Sequence, residues 1–293
     1  MSLPTVDTTV TYPAGAVAGT GTVLYTQTLP DGRLAVLTDS APVHPVDAGW
    51  PDQGADRATL TTADGTEVPV EDCVVGATDG SSLFLGRDIP VRKGTEGWVF
   101  TVVHVLPAGT VPAEGSEVRF QVDNGYRAAL SAGHTACHLA SLALNKALAE
   151  AWKKDVQADA AGNPNFDALA IETSTISEFG SRDLYRLGKS LRRKGFLPDA
   201  LLASPEVVEE AVNRTLAGWV ASGAAVRIER DSELLTGMRR WVCDLPDGTV
   251  SIPCGGTHSD SLARFSGIQV RLSLKTADGA AEMVMETSGT PAG

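Results

Sequence analysis

The chain has 293 residues, of which 43% are hydrophobic and 20% are charged, the composition of a folded protein with a core of its own. Its net charge of −12 excludes nucleic acid as a partner unless cations are concentrated locally, because long-range repulsion opposes the encounter with phosphate. There is no leader-like segment and no long apolar run, which predicts a cytoplasmic protein that is neither secreted nor membrane-spanning.

Residues 1–124 have the pattern of a β-rich domain. The turn sequences "LPDGRL", "TTADGTEV" and "GATDGSSL" separate short β-branched runs such as "RLAVLTDS" and "WVFTVVHVL". Asp-Gly between short apolar runs is a strong local signal for a hairpin. We therefore predict a small β-barrel-like domain over this segment.

Residues 125–293 have a mixed pattern, which predicts an α+β domain with helices on an antiparallel sheet. The Ala/Leu-rich run from about Ala128 to Asp155 predicts a long helix with lysines near its end. "SRDLYRLGKSLRRKGF" predicts a second helix closed by Gly195. "SPEVVEEAVNRTLAGWVASG" predicts a third, with Ser204 as its cap and Pro205 at its first position. Strand pairs follow in "AAVRIERDSEL", "RRWVCDLPDGTVSIP" and "SGIQVRLSLKTADGAAEMVMET".

Two short motifs contain three of the five histidines. In "GHTACH", His134 and His138 are four residues apart, so on a helix both imidazoles share one face and reach one ion. In "CGGTH", small residues let the chain bend Cys254 and His258 back onto a common point. Three imidazoles and one thiolate suit zinc best. Because Thr135 follows His134, the glutamate base of the zincin motif is absent.

Arg182, Arg186, Lys189 and Arg193 would form one stripe on the predicted second helix, opposite its leucines. Two interpretations stay open: contacts with nucleic-acid phosphates, or a solvated face paired with local acids. Cys137 lies one position before His138, so we expect its thiol to point away from the histidine pair into the core.

The motifs "GHTACHL" and "PCGGTH" resemble the HxxxH and CxxxH zinc motifs of the alanyl-tRNA synthetase editing domain. The same motifs occur in the free-standing AlaX-type trans-editing proteins, and a related module edits in threonyl-tRNA synthetase. "HPVDAGWPDQGADRATL" is similar to the family's glycine-rich signature: Gln53 and Asp56 match it, whereas Ala58 and the run Trp50–Asp52 depart from it. "SPEVVEEAVNRTL" resembles the helix before the last strands, with the pair Val212-Asn213. The resemblance extends from about residue 20 to 275.

This resemblance implies zinc-dependent hydrolysis of mischarged aminoacyl-tRNA, Ser- or Gly-tRNA(Ala), in trans. The zinc would activate a bound water, polarise the ester carbonyl or hold the substrate's amino group and hydroxyl in place. It implies four zinc ligands: His134, His138, Cys254 and His258. Two roles stay open for Gln53 and Asp56: contact with substrate where the β domain meets the zinc domain, or stabilisation of a turn. Thr257 would offer a hydroxyl to the substrate beside His258. The tRNA would meet the basic stripe: Arg182, Arg186, Lys189 and Arg193.

Four protein ligands are more typical of a closed, structural zinc than of a catalytic one. Two alternatives therefore stay open. In the first, the chain is a non-catalytic, zinc-stapled module that binds aminoacyl-tRNA or a partner protein. In the second, it is a zinc hydrolase of a small ester or amide, a substrate class that the acidic net charge favours.

Overall fold

The computed structural model describes residues 2–49, 51–109, 111–277 and 280–293. The chain divides into two compact units. Unit 1 consists of residues 1–127, 230–239 and 255–257, and unit 2 of residues 128–229, 240–254 and 258–293. Helices and antiparallel sheets are both present, so the predicted α+β class is confirmed at this level.

Unit 1 is built on one curled, half-barrel antiparallel sheet of eight strands in the order β6-β5-β10-β2-β3-β9-β7-β8. Strands β6 and β8 are its edges, so over the described residues the sheet is open and the predicted barrel is not closed. The two short strands β1 and β4 pair in parallel beside it. The strands are β1 (Thr9–Val10), β2 (Ala18–Thr28), β3 (Leu34–Thr38), β4 (Ser40–Ala41), β5 (Ala58–Thr61), β6 (Glu67–Val70), β7 (Asp72–Thr78), β8 (Leu83–Leu85), β9 (Val99–Leu106) and β10 (Glu117–Val122).

The centre of this sheet is covered on both faces. Every residue of β3 is buried, as is every residue of β9 except Val99. Val36 belongs to the larger apolar cluster on one face, whereas Ala35 and Leu37 belong to a smaller cluster on the other. Because neighbouring side chains on a strand point to opposite faces, the continuous apolar run of β3 supplies both clusters.

Unit 2 packs helices on antiparallel strands. One sheet has the order β11-β12-β17-β16 and another the order β13-β14-β15. The side chain of Asn213 fixes α5 to β16, since it donates to Val270 O at 2.9 Å and accepts from Val270 N at 2.7 Å. The elements are α1 (Asn124–Ala147), α2 (Phe166–Ala170), β11 (Ile171–Ser177), β12 (Gly180–Arg186), α3 (Lys189–Arg193), α4 (Asp199–Ala203), α5 (Pro205–Ser222), β13 (Val226–Arg230), β14 (Arg239–Leu245), β15 (Gly248–Pro253), β16 (Phe265–Ala277) and β17 (Ala280–Pro291).

The predicted bounds of the first helix are wrong at both ends. Helix α1 begins at Asn124, where the Asp123 carboxylate accepts a hydrogen bond of 3.0 Å from Tyr126 N. It ends at Ala147 rather than at Asp155. The chain leaves the helix there because the backbone of residues 151–153 pairs instead with that of residues 195–197.

The predicted helix over residues 181–196 is also wrong, because its first half is strand β12 and only Lys189–Arg193 is helical. On β12 the buried Asp183 and Tyr185 alternate with the exposed Arg182 and Arg186, which is the period of a strand. Residues four apart share a face in a strand as well as in a helix, so the arginine spacing did not distinguish the two.

Helix α5 begins at Pro205, as predicted, but the Ser204 side chain makes no capping hydrogen bond, so that part of the prediction is wrong. The predicted strand pairs form the hairpins β14–β15 and β16–β17. Asp278 and Gly279, which join the second pair, lie outside the described residues, as does Trp50 of the glycine-rich signature.

The backbone of helix α1 at Gly133 packs directly against the backbone of the turn between β11 and β12. A Cβ on Gly133 would lie 2.2 Å from Ser177 O and 2.6 Å from Gly180 O, so only glycine fits there. In the turn, Phe179 N donates to Ala129 O at 2.8 Å. These contacts fix the helix one residue before His134.

A partly buried acid in unit 2 gives a pH-dependent prediction. Burial raises the pKa of Asp167 from 3.8 to about 6, although its carboxylate accepts a 2.8 Å hydrogen bond from the Tyr185 hydroxyl. The protonated form is favoured in the fold, so this contribution to stability is complete below the unfolded-state pKa and is lost as the pH rises through about 6.

The change in pKa corresponds to on the order of 3 kcal/mol. Asp167→Asn keeps the acceptor for Tyr185 and removes the titration. We therefore expect its stability relative to the native chain to increase between pH 4 and pH 7 in urea unfolding. A stability difference that is constant over this range would contradict the assignment.

Candidate metal centre

The structure brings together the four residues predicted to bind metal. One ligand atom from each of His134, His138, Cys254 and His258 lies within 4.8 Å of the others. Helix α1 supplies the two residues that are one turn apart, and the chain leaving β15 supplies the other two. Cys254 Sγ lies 3.5 Å from His134 Nε2 and 3.2 Å from His258 Nε2. All four ligand residues belong to unit 2.

The two sulfur–nitrogen distances fit one ion. Zinc bonds of 2.0–2.3 Å in a tetrahedron separate ligand atoms by about 3.3–3.8 Å. His138 Nε2 is buried and has no hydrogen-bond partner among the described residues, although such an atom normally has one. Burial lowers the pKa of His138 to about 4, so its imidazole is neutral near pH 7, the form that binds metal. The chemistry of the donor set therefore fits a soft divalent ion.

Two further residues orient the ligands. Thr135 is fully buried, and its Oγ lies 3.4 Å from His258 Nδ1 and accepts a hydrogen bond of 3.0 Å from Ser259 N. His258 therefore presents Nε2 to the cluster and Nδ1 to the threonine, which sets its orientation. The buried ring of Trp241 packs against His138 with the ring centroids 5.0 Å apart.

The sequence did not single out Thr135 or Trp241 as parts of the centre. A signal for Trp241 exists in the β14–β15 hairpin, where the register places it opposite Ile252, two residues before Cys254. Counting outward from Asp247-Gly248 in the predicted strand pair "RRWVCDLPDGTVSIP" would have found it. No local pattern pairs Thr135 with His258, because they are far apart in the chain and the fold alone brings them together.

Cys137 faces away from the cluster. Its Sγ lies 3.7 and 3.8 Å from the carboxylate oxygens of Asp183, which is also hydrogen-bonded by the hydroxyls of Ser174 and Ser181. Burial raises the pKa of the Cys137 thiol well above its ordinary value, so the thiol stays protonated. It thus provides a natural control for Cys254.

Gln53 and Thr257, both predicted to contact substrate, bind each other within unit 1. Gln53 Nε2 donates to the Thr257 hydroxyl at 2.9 Å, and Gln53 Oε1 accepts from Thr257 N at 3.0 Å. Both side chains are buried. The pair holds the chain immediately before His258, and its role toward substrate stays a prediction.

Asp56, the third predicted substrate contact, is buried in an ion pair with Arg127. Arg127 Nε donates to Asp56 Oδ1 at 2.6 Å and Arg127 Nη2 to Oδ2, which also accepts from His44 N at 2.5 Å. Arg127 Nη2 in addition donates to Pro42 O at 2.9 Å. These bonds within unit 1 use both carboxylate oxygens.

Asp56→Asn should therefore destabilise the fold, since it leaves the Arg127 charge buried without a counter-ion, a change that costs about 3–5 kcal/mol. The measurement is the urea unfolding midpoint. Glu210→Gln is the matched control, because it removes the partner of Arg214 in an exposed ion pair. Equal effects of the two substitutions on the unfolding midpoint would show that the buried ion pair contributes no more to stability than the exposed one.

The four residues of the predicted basic stripe lie on two elements, since Arg182 and Arg186 are on β12 whereas Lys189 and Arg193 are on α3. All four side chains are exposed. Among the described residues, no helix is long and apolar enough to cross a membrane.

No protein-family model matches the chain. The chain is similar to the chloroplastic/mitochondrial alanine–tRNA ligase of Ostreococcus lucimarinus, with 24% identity over 255 residues. The match covers 82% of this chain and 22% of the ligase, so the chain spans about a fifth of that relative's length.

Proposed function

We propose that this chain hydrolyses the ester bond of mischarged aminoacyl-tRNA, with Ser- or Gly-tRNA(Ala) as substrate and a zinc ion at the His134–His138–Cys254–His258 centre. The observation that carries the proposal is the cluster of one thiolate and three imidazoles within 4.8 Å, in a chain similar over most of its length to part of an alanine–tRNA ligase.

In the reaction, the oxygen of water bonds to the ester carbonyl carbon, the bond from that carbon to the ribose oxygen breaks, and a proton passes to the ribose. The products are the free amino acid and tRNA. Zinc bound at such a centre supplies polarisation of a carbonyl or of water. Thr135 and Trp241 hold the ligand rings in their orientations, which is the contribution of residues outside the ligand set.

The ligands differ in their exposure. His134 and Cys254 are buried, whereas His138 and His258 are partly exposed. We propose that substrate approaches from the side of these two histidines, although His138 Nε2 itself is buried. Gln53, Asp56 and Thr257 remain proposed substrate contacts.

The second candidate function is a non-catalytic module, and the ligand count favours it. Four protein ligands joining helix α1 to the end of β15 would also serve as a structural cross-link. Such a module would bind aminoacyl-tRNA or a partner protein without turnover.

The test adds the purified, metal-analysed chain to tRNA(Ala) charged with serine, glycine or alanine and measures release of the amino acid. Faster release of serine or glycine than of alanine supports editing. A folded, zinc-loaded chain that releases none of the three contradicts the proposal and favours the structural role. Turnover of a small ester without turnover of charged tRNA would instead assign a small-molecule hydrolase.

A further inference from the structure

Six exposed cations of unit 2 lie on two segments that are distant in the chain and adjacent in the fold. One segment follows helix α1, and the other is helix α3 with the residue after it. We call the surface of these two segments the basic patch. Its members are Lys153, Lys154, Lys189, Arg192, Arg193 and Lys194.

Backbone pairing brings the two segments together. Lys153 N donates to Gly195 O at 2.9 Å, and Lys154 Nζ donates to Arg193 O at 3.1 Å. Beneath the patch, the rings of Trp152 and Phe196 pack with their centroids 5.1 Å apart. The pairing therefore belongs to the fold and fixes the spacing of the cations.

None of the six cations forms an ion pair with a carboxylate among the described residues. Residues 184–198 contain no Asp or Glu, although the chain as a whole carries a net charge of −12. Like charges repel one another, so a dense unpaired cluster in an acidic protein costs stability. A polyanionic partner would offset that cost.

Cations on the neighbouring sheet are arranged differently. There, the strand register places each arginine of β12 opposite a glutamate of β17, and that glutamate lies opposite a second cation on β16. This register places opposite charges side by side on the sheet surface, and one such pair, Lys275–Glu282, is an ion pair of 3.0 Å. The two rows are Arg182–Glu286–Arg271 and Arg186–Glu282–Lys275.

We propose that the basic patch binds the phosphate backbone of tRNA, and that the sheet arginines do not. Naming tRNA rests on the proposed function, whereas the location of the surface rests on the charges alone. Each phosphate contact releases counterions, so affinity should fall steeply with salt. Of the four cations of the predicted stripe, Lys189 and Arg193 belong to this surface.

The experiment measures binding of uncharged tRNA(Ala) by fluorescence anisotropy over a range of KCl concentrations. The patch variant is Lys153→Gln/Lys154→Gln/Arg193→Gln. The matched control removes three sheet cations: Arg182→Gln/Arg186→Gln/Lys275→Gln. Since one phosphate contact contributes about 0.7–0.9 to the slope of log affinity against log salt, the patch variant should lower that slope by about 2 and weaken binding at least about tenfold. The control should stay within about twofold of the native chain.

Zinc content and melting temperature show whether each variant is folded. Unchanged binding by a folded patch variant overturns the proposal, as does an equal loss in the control or no binding of tRNA by the native chain at low salt. If the patch variant loses binding but the native chain releases no amino acid from charged tRNA, the patch stands and the proposed hydrolysis fails. If the native chain edits and the patch variant edits with unchanged KM, the hydrolysis stands and the patch fails.

Discussion

His134→Ala/His138→Ala should remove the bound metal and the release of amino acid from mischarged tRNA together. The variant loses two of four ligands, and the two that remain, Cys254 and His258, do not make a tight site. We expect metal content to fall from about one ion per chain to near zero and the rate to fall by more than about 100-fold, since even the outer partners of metal ligands account for 10–100-fold.

His104→Gln is the control for this experiment. His104 is a fully buried histidine outside the cluster; it lies in the sheet of unit 1, where its Nδ1 is 3.3 Å from Val36 O. Metal content should be unchanged in this variant. Loss of metal from His104→Gln to the same degree, or metal retained by the double variant, would mean that the ligand assignment is wrong.

Cys254→Ser should make the fold less stable and insensitive to chelators. A metal that binds only the folded chain stabilises it by about 4 kcal/mol when present at about a thousand times its Kd. The native chain should therefore melt at a lower temperature after exhaustive chelation. Cys254→Ser should have this lower melting temperature before chelation, and chelation should change it little.

Cys137→Ser separates loss of a ligand from loss of a thiol. This residue precedes a ligand on the same helix, but its thiol contacts Asp183 rather than the cluster. We expect it to bind metal and to respond to chelation as the native chain does. A native melting temperature that is unaffected by verified removal of the metal would show that the centre does not stabilise the fold.

Local patterns predicted the parts of this molecule that depend on local geometry. The spacing of His134 and His138 defines one face of a helix, and the turn in "LPDGT" sets the register that leads to Cys254. Helix α5 was predicted for the same reason, because Pro205 and the apolar spacing lie within a single element.

The remainder depends on contacts between distant segments. The strand at Arg182 and Arg186 was mistaken for a helix because its spacing fits both periods, and only pairing with β17 decides between them. The basic patch needs Lys153 beside Gly195, a neighbourhood that no sequence window contains. The contact between Thr135 and His258 is likewise a product of the fold.

The four ligand residues of the centre are synthesised at two different times, because two of them lie early and two late in the chain. Cys254 and His134 are 120 residues apart, so at roughly 5–20 residues per second a ribosome needs about 6–24 s to pass from the first pair of ligands to the second. Throughout that interval the nascent chain contains His134 and His138 but lacks Cys254 and His258. A metal held at this centre would therefore be acquired late in synthesis, and we expect chains arrested before residue 254 to be recovered without it.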